Sequence, residues 1–472
     1  MTASVNQVLN SSDHWAKLFN AQRLGSHKKA PAEDSARSSF HKDYDRLVFS
    51  HSFRQLNQKT QVHPLTNQLG IHTRLTHSLE VSCIGRSLGI MAAEKLHDKL
   101  DGGLPNGVAP ADVGVIVQAA CLAHDIGNPP FGHAGEYAIR DWFMHPERQK
   151  ILHNLSSNEQ LDLLAYEGNA QGFRILARNE HHPDLGGMRL TCATLGAFMK
   201  YPWLATHSNA IYQDSPTTNM QKFGCFYSEA AQLEELAARL HLPRSEQHDG
   251  FARHPLAYLL EAADDICYAL IDLEDGINLN MLSYAEVAAI FYELIGERPD
   301  TLNLPTHVSV RQHLASLRAR AMMRLVNAVT DAFVANSNAM LAGTLQGSLF
   351  AHCDATVQSG ITQAKQLARE KIFNHPSKVR MELMANQCLQ RLLDAFMPLA
   401  WTNETSASIT QMSFEQQRLL KLLQPHLDEH RRVLSDDTYD NMLNVLDFIT
   451  GMNDHEAYRL AQELQGHWGT IV

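Results

Sequence analysis

The 472-residue chain has no run approaching the roughly 18 uninterrupted apolar residues that a membrane span requires, so a membrane protein is not expected. Its opening MTASVNQVLNSSDHW lacks the basic and apolar regions of a secretory leader, which points to a cytoplasmic protein. Cysteine is scarce. The seven residues Cys83, Cys121, Cys192, Cys225, Cys267, Cys353 and Cys388 are odd in number and form no CxxC pair. A zinc ribbon or a disulfide framework is therefore excluded, and reduced, buried thiols are expected. Positive charge is also in deficit. With 40 Lys plus Arg against 51 Asp plus Glu, the net charge of −11 argues against nucleic-acid binding over the whole surface. Alternating strand patterns, internal repeats and low-complexity tracts are all but absent.

What is abundant is helical periodicity. Hydrophobic residues make up 44% of the chain, enough for a substantial core. Ile84, Leu88, Met91 and Leu96 recur at helical spacing and predict a helix from near His77 to Leu100. After a Gly- and Pro-containing loop, Asp112 is placed to cap a second helix carrying Val113, Ile116, Val117, Ala120 and Leu122. That helix should end by Gly127, ahead of Pro129 and Pro130. A third amphipathic segment runs from about Leu256 to Ile277. Further helices are read over 309–341, 361–374, 377–399, 413–433 and 436–466. The fold class is all-α. The organisation read is a polar N-terminal arm (1–39) with one short helix around Trp15 to Leu18, a helical core (40–295), a linker (296–308) and a helical C-terminal region (309–472).

Histidine is the unusual count, at 26. His77 opens one predicted helix, the adjacent pair His124 and Asp125 ends another, and Asp264 sits in the acidic run EAADDICYALIDLED. Neighbouring helical residues diverge by about 100°, so His124 and Asp125 can reach one ion only where their helix ends. Asp264, Tyr268 and Asp272 lie at i, i+4 and i+8 and share one helix face. His133 and Glu136, at i and i+3 of a new helix, allow a carboxylate to fix an imidazole tautomer. The adjacent His181 and His182, in NEHHPDLGG, read as an exposed pair without a role.

These residues fall in longer blocks: FSHSFRQLNQKTQVHPL (49–65), RLTHSLEVSCIGRSL (74–88), HDIGNPPFGHAGE (124–136), YEGNAQGFR (166–174), KYPW (200–203) and EAADDICYALIDLED (261–275). Together they resemble the bacterial deoxyguanosinetriphosphate triphosphohydrolases, a subfamily of the HD-domain metal-dependent phosphohydrolases. The match covers about residues 40 to 275 and is faint beyond, around REKIFNHPSKVRMEL (369–383). The resemblance implies an HD-domain helical core in which His77, His124, Asp125 and Asp264 bind one divalent metal: Mn²⁺, Mg²⁺ or Fe²⁺. It implies that His133, oriented by Glu136, transfers a proton. Arg74, Lys200, Tyr201 and Lys222 would grip the phosphates, and Gln61 and Val62, beside Tyr268 and Asp272, would line the sugar pocket.

The implied reaction is water attack at the α-phosphorus of a dNTP, yielding a deoxynucleoside and inorganic triphosphate. dGTP is the leading substrate. His63 and the loop Thr66 to His72 border the pocket and leave the base preference open. Lys371 and Arg380 are the basic candidates of the C-terminal region. The resemblance also implies a homo-oligomer (tetramer or hexamer), with a nucleotide activator and single-stranded nucleic acid as further partners. Two other classes stay open: an HD nucleotidase or phosphodiesterase acting on another nucleotide, and a nucleotide- or single-strand-binding regulator.

Overall fold

A computed structural model describes residues 11–26, 37–61, 72–100, 103–105, 107–180, 187–206, 222–299, 307–401, 412–429 and 434–467. Val62, His63, the loop from Thr66 onward short of His72, His181, His182 and most of the 296–308 linker lie outside these residues. The architecture is all-α. Among the described residues only isolated β-bridges occur, such as Thr60 with Thr73. No helix among them is long and apolar enough to cross a membrane. No disulfide joins the seven cysteines, and five of them are buried.

Two helices form the centre. Arg74–Lys99 starts one turn before the expected position because the Thr73 hydroxyl accepts from Thr76 N (3.3 Å) and caps it there. Pro110–Ala123 begins with proline at its first position, and Asp112 accepts from Ala109 N (3.0 Å). Every residue from Val113 to Ala123 is buried, as expected of a helix apolar on all sides. The two helices approach closely at Gly89 and Gly114. A Cβ on Gly89 would lie 2.9 Å from the Val113 carbonyl, so a larger residue would force them apart. Pro255–Asn278 packs against both and carries Asp264.

Side chains gather into two hydrophobic clusters. The first runs from Trp15 to Ile372 and includes Pro255–Asn278, Val310–Ala335 and Ala355–Ala368. The second joins His133–Met144 to the C-terminal helices Pro376–Phe396, Phe414–Glu429, Thr438–Gly451 and Asp454–Glu463. The predicted helix over 436–466 is thus two helices, because Asn453 accepts from Glu456 N (2.9 Å) and starts a new one. Near the N-terminus the short helix is present as Ser11–Leu18. It is held in place: Trp15, Leu18, Phe19 and Leu24 are buried in the first cluster, and Arg23 pairs with buried Asp43 (2.7 Å).

Polar ties join the C-terminal helices to the centre. Arg174 is fully buried, 2.7 Å from Glu229 and 3.0 Å from Asp447. Asp454 accepts from Phe131 N (2.7 Å) and from the Thr60 hydroxyl (2.6 Å). His72 donates to Asp275 (2.9 Å) and faces Glu80 (3.3 Å). These two carboxylates outweigh burial and raise the His72 pKa to about 10. A raised pKa means stability that is full below about 6.5, the unfolded value, and lost as pH rises through about 10. The urea midpoint should therefore fall between pH 7 and pH 10, and His72→Gln should flatten that part of the profile. An unchanged slope in the variant would contradict the clamp.

Candidate metal centre and active site

The His77 imidazole projects from the first full turn of Arg74–Lys99, and Thr73 fixes where that turn begins. Pro110–Ala123 stops at His124, whose Nδ1 lies 2.7 Å from the Cys121 carbonyl. A carbonyl only accepts, so Nδ1 carries the proton and the Nε2 lone pair is free to ligate. Gly127 (φ +102°) then turns the chain. A Cβ there would sit 2.2 Å from Gly172 N, so only glycine permits the return that leaves Asp125 beside His124.

Ligand atoms of His77, His124 and Asp125 all lie within 4.8 Å of one another, and all three residues are buried. Asp264 completes the group across the cleft. Its Oδ1 is 3.1 Å from His77 Nε2 and 3.5 Å from His124 Nε2. Arg74 Nη1 and Asn128 Nδ2 each donate to Asp125 Oδ1 (2.7 Å), and Lys200 Nζ donates to Asp264 Oδ2 (2.7 Å). Burial opposes the charge on both carboxylates. Arg74 and the two histidines nevertheless lower the pKa of Asp125, and Lys200 with His124 hold Asp264 well below the usual range. For His124, burial also opposes charge, but Asp125 and Asp264 raise its pKa on balance. Asp125 Oδ2 is buried with no hydrogen-bond partner among the described residues. An orphaned carboxylate oxygen beside a directed imidazole lone pair fits a divalent cation of mixed N/O ligation.

His133 starts its helix after a turn in which Phe131 takes a left-handed conformation (φ +65°) and Gly132 follows at φ +60°, where glycine carries no Cβ penalty. Its Nδ1 donates to Glu136 Oε2 (2.8 Å), and Glu136 Oε1 accepts from Gly168 N (2.8 Å). Burial works against the Glu136 charge, yet His133 and two nearby cations hold its pKa low. The His133 ring is 66% exposed and lines the same cavity as His124, Asp125 and Asp264.

The remaining predicted residues divide. Gln61, Arg74, Lys200, Lys222, Tyr268 and Asp272 all line that cavity. Gln61 Oε1 and Asp272 Oδ2 are buried without partners among the described residues, and burial raises the Asp272 carboxyl to about 7. Tyr201 is not brought to the cavity wall. It packs edge-on against Trp203 (5.5 Å between centroids) and is buried behind the lysines. Lys371 pairs with Glu286, away from the cavity wall, and Arg380 does not line it either.

Four cavity neighbours went unassigned from sequence. Asn128 holds Asp125, and Asn169 Nδ2 donates to Glu167 Oε1 (2.6 Å), which faces Lys222 at 3.8 Å. Phe373, more than one hundred positions along the chain from Tyr268, stacks on it with centroids 5.6 Å apart and planes 9° from parallel. The YEGNAQGFR and REKIFNHPSK blocks carried the available signal, but no local spacing singles these side chains out.

The HD domain family matches residues 74–191. The chain is similar to a deoxyguanosinetriphosphate triphosphohydrolase-like protein of Pseudomonas aeruginosa, 46% identical over 455 residues that span 96% of this chain and 98% of the relative. A protein of the same description from Synechocystis is 37% identical, covering 96% of this chain and 99% of its own. A deoxyguanosinetriphosphate triphosphohydrolase of Salmonella typhimurium is 32% identical, with 82% of each chain covered.

Proposed function

The chain belongs to the deoxyguanosinetriphosphate triphosphohydrolase-like family of HD-domain hydrolases, and from that premise we propose that it cleaves dNTPs, dGTP foremost, to deoxynucleoside and inorganic triphosphate. The observation that carries the reading is one cavity lined by His124, Asp125, Asp264, three cationic side chains and His133, with His77 hydrogen-bonded to Asp264 and Glu136 to His133 behind its wall.

In this reading His77, His124, Asp125 and Asp264 hold one divalent cation. A bound Mn²⁺, Mg²⁺ or Fe²⁺ would supply positive charge to a phosphate oxygen and lower the pKa of water at the α-phosphorus. A triphosphate carries about four negative charges, and an acidic protein needs local cations to accept it. Lys222, Lys200 and Arg74 provide them, and buried Tyr201 packs behind the lysines. Glu136 accepts the Nδ1 proton of His133, so the exposed Nε2 is the atom that takes a proton from water or gives one to the 5′-oxygen.

The unpartnered oxygens of Gln61 and Asp272 are suited to a deoxyribose hydroxyl. The Tyr268–Phe373 stack offers a flat wall for the sugar and base, and close packing there selects against a 2′-hydroxyl. Self-association belongs to the same proposal and is supported by exposed Val379 and Leu383, which share one face of Pro376–Phe396. A nucleotide activator, a single-stranded nucleic-acid partner and a cytoplasmic location complete the proposal.

His133→Ala should lower kcat by about 10²–10⁴-fold, the usual worth of a positioned general acid or base, while cation binding persists. Glu136→Gln should fall between the variant and the native chain. Equal loss of cation and turnover in His133→Ala would contradict a role confined to proton transfer. The reaction itself is tested with the purified chain, each of the four dNTPs and GTP, under Mn²⁺ and under Mg²⁺, with ion-pair chromatography of the products. Deoxynucleoside and triphosphate are expected. Mono- or diphosphate products would instead assign a different HD phosphohydrolase.

A further inference from the structure

The junction between the C-terminal helices Thr438–Gly451 and Asp454–Glu463 meets two segments that carry active-site residues. Asp454 opens the second helix and is fully buried. Its Oδ1 accepts from Phe131 N (2.7 Å). Its Oδ2 accepts from Thr60 N (3.0 Å) and from the Thr60 hydroxyl (2.6 Å). Each oxygen of one carboxylate thus holds a different part of the chain.

Both donors stand beside functional groups. Thr60 immediately precedes Gln61, which lines the catalytic cavity. Phe131 stands two residues before His133, at a left-handed φ of +65° that bulky residues rarely adopt. A backbone of that kind keeps its place only where the bonds around it are sufficient. The same junction reaches the loop of the His/Asp cluster. Buried Lys59 donates to the carbonyls of Thr450 (2.7 Å) and Asn128 (2.8 Å), and its own carbonyl accepts from Arg74 N (2.8 Å).

We infer that Asp454 is a positioning residue of the active site, which holds the Gln61 segment in register with the turn that presents His133. Selection of deoxyribose and proton transfer would then both depend on one carboxylate of the C-terminal region. The inference rests on the proposed reaction and adds a residue that touches neither substrate nor cation. Asp454→Asn tests it because an amide has one acceptor oxygen and puts N–H groups in place of the other. Either Thr60 or Phe131 then loses its acceptor.

In the full chain, Asp454→Asn should keep its bound Mn²⁺ and lose at least about tenfold in kcat for dGTP, since small misplacements of reacting groups are costly. Its ratio of kcat/KM for dGTP over GTP should fall at least about fivefold. Thr60→Val removes only the hydroxyl bond and should lower that ratio at least about threefold, whereas Thr60→Ser, which keeps the hydroxyl, should restore it. Amide exchange should quicken at 60–61 or at 131–133 in Asp454→Asn, a readout that needs no turnover. Absence of dNTP hydrolysis by the native chain would overturn the reaction. Unchanged exchange at both segments would overturn the inference by itself. So would native kcat and a native ratio in a folded, cation-loaded Asp454→Asn. Where that variant fails to fold, equal ratios in Thr60→Val and Thr60→Ser would overturn it.

Discussion

Asp125→Asn should lose its bound divalent cation and at least about a thousandfold in turnover, since several kcal/mol of charge stabilisation depend on that cation and each 1.36 kcal/mol is tenfold in rate. The substitution is chosen because it is nearly isosteric. A side-chain carbonyl still accepts from Arg74 and Asn128, which both bond Asp125 Oδ1, so the loop that follows keeps its hydrogen bonds. What disappears is the negative charge that Arg74 and the two histidines maintain against burial. His124→Ala should have a similar effect through the loss of its directed Nε2 lone pair. Metal content by plasma mass spectrometry and thermal melting should show a folded, metal-poor protein in both variants. Normal turnover in either one would remove Asp125 and His124 from the centre.

Arg174→Met should destabilise the fold by about 3–5 kcal/mol, the usual cost of stranding buried charges by removing one partner. Arg174 stands between Glu229 and Asp447, and all three side chains are essentially withdrawn from water. Gln171 and Arg178 add hydrogen bonds to the same carboxylates but cannot neutralise both. The loss should appear as a lower urea midpoint with an unchanged slope. Adding Glu229→Gln to Arg174→Met should recover part of it, because one of the stranded charges is then gone. A loss below about 1 kcal/mol would show that solvent reaches the cluster. Asp447 lies on Thr438–Gly451, so this variant also tests how firmly the C-terminal helices are held to the centre.

The helical class was legible because 3.6-residue periodicity is a local property. The spans of the central helices are recovered to within a few residues. The errors lie where a side-chain cap decides the boundary. Thr73 starts its helix three residues before His77, and Asn453 divides what periodicity alone makes continuous. Trp15 and Leu18 were recognisable as a helix but not as a buried one, since their partners are far along the chain. The site divides in the same way. The His124–Asp125 pair and the His133–Glu136 spacing are local and readable, and Asp264, Tyr268 and Asp272 share a face by periodicity. Glu167 and Phe373 acquire meaning only when the chain brings them beside Lys222 and Tyr268, dozens to about a hundred positions away, whereas Asn128 lies only three residues from the Asp125 it holds. Tyr201 shows the reverse, a block residue whose ring the structure turns inward against Trp203.

The proposed hydrolysis at the α-phosphorus, by water held within the His77, His124, Asp125 and Asp264 cluster, is tested by turnover of dGTP in ¹⁸O-enriched water with mass spectrometry of both products. One ¹⁸O atom is expected in the released triphosphate and none in deoxyguanosine, with no turnover above background in Asp125→Asn. Label in the deoxynucleoside, or in orthophosphate or pyrophosphate released as the first product, would contradict it.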